Sequence, residues 1–380
     1  MGTPDVAMIT PFPAAGRLPS GVASYSASLA HALRDAGAEV AVVAPAEDGA
    51  RSEPGVLRRF RRGPAALPVA ARAAHATGAP AVHLQHETFL YGGPSTLPGV
   101  FGALASLRGA GRRAVVTMHH VVDPADVDEE FTRSHRVRVP APVARAGLDA
   151  VQRTLGRVAS DLIVHEPRFG QVVPEARVVP HGVELAEQAD RGAAQERLGV
   201  DDGRLVVLCF GFLAPYKGLE TALAASALAG DDVRLVIAGG EHPRLAASGD
   251  DYGERLRALA PPGTTFTGYV PDEDVADWFA AADVALLPYP RPFASSGPLA
   301  LALAHGTPVL LSTALARSAG APDLLAVEPE PAAIAEQLRA LARQPGALAD
   351  LRVVTRTLAA GRSWPEVARR HLAVYAGETG

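Results

Sequence analysis

Short runs of Val, Ile, Leu and Ala, bounded by Gly, Pro or Asp, alternate along the chain with longer Ala- and Leu-rich stretches whose apolar positions recur at helical spacing. A run that is apolar at every position reads as a strand covered on both faces, as in a parallel sheet with helices on each side. Asp5–Thr10, Glu39–Ala44, Ala81–Gln85, Ala114–His119 and Asp161–Val164 are therefore expected to be parallel strands. The stretches Gly21–Ala36, Pro64–Thr77, Thr96–Gly109 and Ala141–Ala159 are the helices between them. Ser20 is placed to cap the first helix and Gly37 to end it. After Pro180 the alternation restarts. It predicts strands at Leu205–Phe210, Arg234–Ala238, Val284–Leu287 and Val309–Ser312, and helices at Thr221–Ala229, Tyr252–Ala260, Asp272–Ala281 and Pro298–His305. Three further helical stretches follow the Glu328–Pro331 turn, the last being Trp364–Ala376, whose Val, Leu and Tyr need an apolar surface to cover.

Repeated strand–helix units predict an α/β fold of two doubly wound, Rossmann-like domains, with the Pro180–Gly182 segment as the hinge. Ligands in such sheets bind beyond the carboxyl ends of the strands. The residues of interest are thus those that follow strands.

Composition narrows the function. At 380 residues the chain has room for two or three domains. With 36 Lys and Arg against 41 Asp and Glu, its net charge of −5 argues against a nucleic-acid binder working through a general basic surface. A single cysteine, Cys209, excludes a disulfide scaffold. The start MGTPDVAMIT reads as no targeting segment, and no run approaches the roughly 18 apolar residues of a membrane helix. The expectation is a cytoplasmic protein, with peripheral membrane contact left open.

Two segments offer anion chemistry. In Gly211 to Gly218 a glycine ends a buried strand and Lys217 precedes a helix, whose N-terminal amides and partial positive charge join the lysine's full one. That suits a phosphate; a surface lysine after a turn fits the pattern equally. In Arg291 to Pro298, Ser295 or Ser296 can cap the next helix and small residues allow a diphosphate close to the backbone, although an ordinary capped helix has the same pattern. His119 and His120 follow one strand; His86 and Glu87 follow the strand before it, with His83 read as structural. A histidine there can meet a sugar hydroxyl, shuttle a proton or bond its own loop. No cluster has zinc spacing, and GxSxG, CxxC, a Walker loop and a GxGxxG after a strand are all missing.

Taken in order, these segments resemble the GT4 family of retaining glycosyltransferases, which have the GT-B fold. Pro11 to Val22 is similar to the family's first glycine loop, Thr117-Met118-His119 to its strand-end histidine motif, and Val179 to Glu184 to its linker. Gly211 to Gly218, Leu235 to Gly239, Phe266 to Val270, Ala282 to Pro288 and Ala304 to Val309 resemble the strand ends and signature of its second domain, and Ser363 to Tyr375 its closing helix. The sequence departs from the family where a phosphate-binding arginine falls on Phe212 and two glutamates fall on Phe293 and Leu301. Ser295-Ser296-Gly297 resembles a subgroup with Ser-Gly in place of the first glutamate's motif, and Arg291 is a substitute charge.

The resemblance implies residues 1–182 as an acceptor-binding domain, 183–362 as a donor-binding domain facing it across a central cleft, and 363–380 as a helix crossing back to the first. It implies metal-independent transfer from a nucleoside-diphosphate sugar, UDP or GDP, to a hydroxyl acceptor on a glycan, lipid-linked saccharide or small metabolite, with no further cofactor. His119 and Lys217 would be catalytic. The donor would meet Gly21, Gly211, Lys217, Gly239, Gly268, Tyr269, Val270, Arg291, Ser295, Ser296, Gly297, Pro298 and Leu299. The acceptor would meet His86, Glu87 and His120. Apart from the resemblance, Arg133, Arg136 and Arg138 on the Val121–Val139 loop suit an anionic acceptor or lipid headgroup, although an ordinary solvated charged loop has the same pattern and is the better fit. The alternatives are a nucleotide-sugar-binding partner without activity and a sugar-nucleotide epimerase of similar fold.

Overall fold

The computed structural model describes residues 2–14, 21–46, 53–87, 90–134, 137, 139–241, 251–291 and 296–378. The chain divides into two compact units, Met1–Gly182 with Trp364–Gly380, and Val183–Ser363.

The first unit holds a seven-stranded sheet in the order β3(Val56–Phe60), β2(Val40–Pro45), β1(Val6–Ile9), β4(Ala81–His86), β5(Arg113–Met118), β6(Asp161–Val164), β7(Ala176–Val178). The second holds six strands in the order β10(Thr265–Gly268), β9(Val233–Ala238), β8(Leu205–Phe210), β11(Val284–Leu287), β12(Val309–Ser312), β13(Ala326–Val327). Every pairing is parallel. The winding reverses beside β1 in one sheet and beside β8 in the other, which puts the switch point of each unit, where doubly wound sheets bind ligands, at those strand ends. All residues of β1, β4, β11 and β12 are buried; β1 and β11 are accordingly apolar without alternation, whereas β4 carries His83, Gln85 and His86 and β12 ends on Ser312.

The sequence pattern does not announce β3, β7 or β13. Edge strands carry fewer buried positions: β3 holds Arg58 and Arg59, and β7 is a three-residue strand whose Arg177 pairs with Asp161 of β6 at 3.2 Å. The helices Glu129–Ser134, Pro167–Val172, Arg191–Leu198 and Thr313–Ala319 were also not expected; each is a short element of two turns or so. Glu129–Ser134 places Arg133 on a helix, whereas Arg136 and Arg138 lie outside the described residues.

The Trp364–Ala376 helix belongs to the first unit, and Ser363 stays with the second. Its Trp364, Val367, Ala368 and Val374 join Val6, Met8, Leu29 and Leu33 in one core. The Gly21–Asp35 helix beside it ends on Gly37 at φ +90°, where the Ala38 amide reaches back to the Leu33 carbonyl at 3.0 Å. A methyl on Gly37 would meet no atom within 4 Å, so Gly37→Ala isolates the conformational cost. It should destabilise the first unit by about 1 kcal/mol in urea unfolding, with an unchanged m-value. Ser20 lies outside the described residues.

Candidate functional site

The site is built where β8 ends. Gly211 turns at φ +99°, and its amide donates to Ala238 O at 2.8 Å. Gly239 lies so close that a Cβ on it would overlap the Gly211 carbonyl oxygen. The chain then makes a single 3₁₀ turn, Pro215–Lys217, and enters the Leu219–Ala229 helix through Gly218 at φ +66°. A Cβ on Gly218 would strike the Pro288 carbonyl oxygen that follows β11.

This tight turn drives Lys217 inward. Its side chain is buried, with the residue 4% exposed, and Nζ donates to the Phe210 carbonyl at 3.0 Å. Burial pulls its pKa down from 10.5 to about 8. A Cβ on Gly211 would collide with Nζ and lie 3.4 Å from Pro298 Cγ. The amine and the first turn of the Gly297–Ala304 helix therefore flank one point, the glycine that ends β8. The two segments read separately in the sequence come together because β8 and β11 are neighbours in the sheet.

Ser296 caps that helix, accepting from the Leu299 amide at 3.2 Å, with Pro298 in the first turn. This corrects one expectation. The Leu299 amide is taken by its own cap and Pro298 has no N–H, so neither presents a hydrogen to a ligand. Gly297 is the described amide left at the helix tip. Arg291 is exposed and does not line the cavity described next, and Ser295 lies outside the described residues.

Beyond Gly211 opens a cavity of about 450 Å³ in the second unit. Phe210, Gly211, Phe212, Gly239, Gly240 and the Tyr269-Val270 pair form part of its wall; Asp272, Val275, Ala276, Leu301 and His305 form the rest. Gly268, at φ +70°, bridges to Gly239 and aims the chain so that Tyr269, 69% exposed, reaches the cavity. The sequence reading missed Asp272 and His305. The second had a signal: it follows Leu301 by one helical turn on the same face.

The first unit places its expected residues differently. Gly21 is the first residue of a helix, a Cβ there would meet nothing within 4 Å, and its φ is not positive, so the described structure does not demand a glycine. His119 is half-buried. Its Nε2 lies 2.7 Å from Gln85 Oε1 and its Nδ1 lies 3.3 Å from His165 Nε2, while His165 Nδ1 faces the Val179 carbonyl at 3.0 Å. The chain is consistent with both histidines neutral when the Gln85 amide turns its NH₂ toward His119. Both ring nitrogens are thus engaged inside the unit, so the sugar contact expected of His119 has no nitrogen left over. Burial and the neighbouring histidines hold its pKa well below the usual value.

This network packs around Tyr25, whose ring centroid lies 4.8 Å from His119, 5.0 Å from His165, 4.9 Å from His181 and 5.4 Å from Trp364. His83 is structural as read, bonded to Tyr375 Oη and Thr117 Oγ1 at 2.7 Å each. Of the expected acceptor residues, His86 is buried with its pKa lowered to about 4 by desolvation, Glu87 is half-buried and His120 is exposed. The described residues contain no group of three or more His, Cys, Asp or Glu that could hold a metal ion. No described helix is long and apolar enough to cross a membrane.

Residues 204–344 match the family model described as "Glycosyl transferases group 1". A phosphatidyl-myo-inositol mannosyltransferase of Mycolicibacterium smegmatis is 26% identical over 78% of this chain and 73% of its own. A D-inositol 3-phosphate glycosyltransferase of Xylanimonas cellulosilytica is 31% identical over 45% of this chain and 44% of its own. Among solved structures, sucrose-phosphate synthase from Thermosynechococcus elongatus superposes with a TM-score of 0.67 at 20% identity, covering 98% of both chains. The Anabaena HepE protein, solved with UDP, superposes at 0.68 with 16% identity, covering 98% of this chain and 100% of that one. These matches bear out the GT-B fold and the resemblance to GT4-type glycosyltransferases.

Proposed function

We propose that the chain transfers a sugar from a nucleoside-diphosphate donor to a hydroxyl acceptor, with retention at the anomeric carbon. The observation that carries this reading is the buried Lys217 amine set beside Gly211 and the Gly297–Ala304 helix tip, next to a nucleoside-sized cavity. The Anabaena HepE protein was also solved with UDP-glucose, which supports a nucleotide sugar as donor.

As the bond from the anomeric carbon to the diphosphate oxygen breaks, negative charge grows on the leaving group and positive charge on the sugar. Lys217 and the Gly297 amide offset the first, held in place before reaction by burial and by the cap. The acceptor oxygen attacks from the same face and its proton passes to the departing phosphate oxygen. An amine and an amide do the work that a divalent cation would otherwise do, so turnover is expected to survive chelation. The acceptor binds the first unit, with the His119–Gln85–His165 network as a positioning element.

One observation favours a binding partner without activity: Phe212 and Leu301 line the cavity where the resemblance would place charged groups. A panel of UDP-, GDP- and dTDP-sugars separates the readings. The accepted donor should raise the second unit's melting point by roughly 5–10 °C at a hundredfold excess over Kd. Slow donor hydrolysis then marks an enzyme, while saturable binding without turnover across several acceptors marks the partner. No stabilisation by any member of the panel would reject both.

A further inference from the structure

The proposed function assigns one end of the cavity to the diphosphate, at Gly211 under the Lys217 amine. The remainder must then hold a nucleoside, which brings a flat base and a ring with two adjacent hydroxyls. Those hydroxyls lose water on entry and need partners in the wall. The side chains of Phe210, Phe212, Val270, Val275 and Leu301 offer none.

The polar side chains on the described wall are those of Tyr269, Asp272 and His305. The first two are exposed; His305 is half-buried. It closes the Gly297–Ala304 helix, its backbone amide donating to Leu301 O at 3.0 Å, and its ring stacks on Phe279 at 5.5 Å with 10° between the planes. The imidazole is therefore held at a fixed angle one turn beyond Leu301. Among the described residues neither ring nitrogen has a hydrogen-bond partner. Burial lowers its pKa, which keeps it neutral at pH 7 with one nitrogen donating and the other accepting. A vicinal diol, which also both donates and accepts, is the matching partner.

We infer that His305 binds the vicinal ribose hydroxyls of the donor nucleoside and makes the site select ribonucleotides over their deoxy forms; this rests on the proposed function. The test is calorimetric binding of UDP and GDP against their 2′,3′-dideoxy forms. His305→Phe keeps the stack on Phe279 and removes both nitrogens, and His305→Gln keeps hydrogen-bonding capacity. The wild-type chain should prefer the ribo form of its nucleotide by about tenfold, as two ordinary hydrogen bonds allow. In His305→Phe the ribo form should weaken about 5- to 10-fold while the dideoxy form stays within about twofold, and His305→Gln should recover part of the preference. An unchanged preference in His305→Phe overturns the assignment, as does a wild-type chain that binds both forms equally. A preference kept in His305→Phe but lost in Asp272→Ala gives the diol to the carboxylate and also overturns it. Failure of the wild-type chain to bind UDP, GDP and dTDP alike is a different result, because it removes the donor site itself, whereas binding of dTDP alone overturns the assignment.

Discussion

Lys217→Ala is expected to lower turnover at least about 100-fold, because a preorganised charged donor aimed at a developing anion contributes on the order of 3 kcal/mol to lowering the barrier. The effect is charge and not packing, which Lys217→Met tests: it fills the buried stem beside Gly211 and leaves out the amine. Both variants should lose similar amounts of kcat, while Lys217→Met, which leaves no cavity, should unfold at a higher denaturant concentration than Lys217→Ala; Lys217→Met with near-normal transfer would remove the amine from the reaction. The wild-type pH profile carries a second signature. The amine's pKa in the free protein is about 8, lowered by burial, and the cation is the form that meets a diphosphate. The kcat/KM for donor should therefore fall above about pH 8, approaching tenfold per pH unit. In Lys217→Met that basic limb should vanish.

The second large effect is acid unfolding of the first unit. His83, His86, His119 and His371 all have pKa values held below 6.5, chiefly by burial, with His86 and His371 at about 4. In the unfolded chain each titrates near 6.5. Above that pH both states are neutral and the groups leave stability unchanged. Below it the unfolded state takes up protons first, so stability falls until the folded pKa is reached, by about 1.4 kcal/mol per pH unit for each histidine. Over the window from pH 6.5 to 4, several such histidines remove an amount comparable to the whole stability of a domain, roughly 5–15 kcal/mol. The described residues of the second unit contribute one histidine, His305, to this window.

The chain's two tryptophans report on the units separately: Trp364 lies in the first, 8% exposed against Tyr25, and Trp278 in the second. In Trp278→Phe, the Trp364 emission should show a urea midpoint that drops steeply between pH 6.5 and 4.5. In Trp364→Phe, the Trp278 signal should move far less. Equal shifts for both probes would contradict the histidine account.

The parts of the site that were legible are those whose signal is local. Leu205–Phe210 is a fully apolar run that ends on a glycine, and Ser296-Gly297-Pro298 carries its own capping chemistry, so both segments could be placed from residues alone. What joins them is the adjacency of β8 and β11, which the doubly wound pattern implies. The histidines were harder. That His119 spends both nitrogens follows from β4, β5 and β6 lying side by side, which brings Gln85 and His165 to the same sheet edge. No spacing within one segment encodes that. His305 was passed over for a related reason: a histidine just before Gly306 reads as a helix end, and only the cavity reveals what its face looks onto. The missed β3 and β7 are edge strands with arginines, where solvent on one side relaxes the demand for apolar residues.

The return of Trp364–Ala376 to the first unit sets an order for synthesis on the ribosome. Residues 183–363 form an uninterrupted unit that can complete itself as it emerges. The amino-terminal half cannot: its Val6, Met8, Leu29 and Leu33 core stays uncovered until the Trp364–Ala376 helix leaves the exit tunnel. The half made first is thus finished after the half that follows it, and a nascent or prematurely stopped chain exposes an apolar stripe for chaperones to shield while its younger half is already folded.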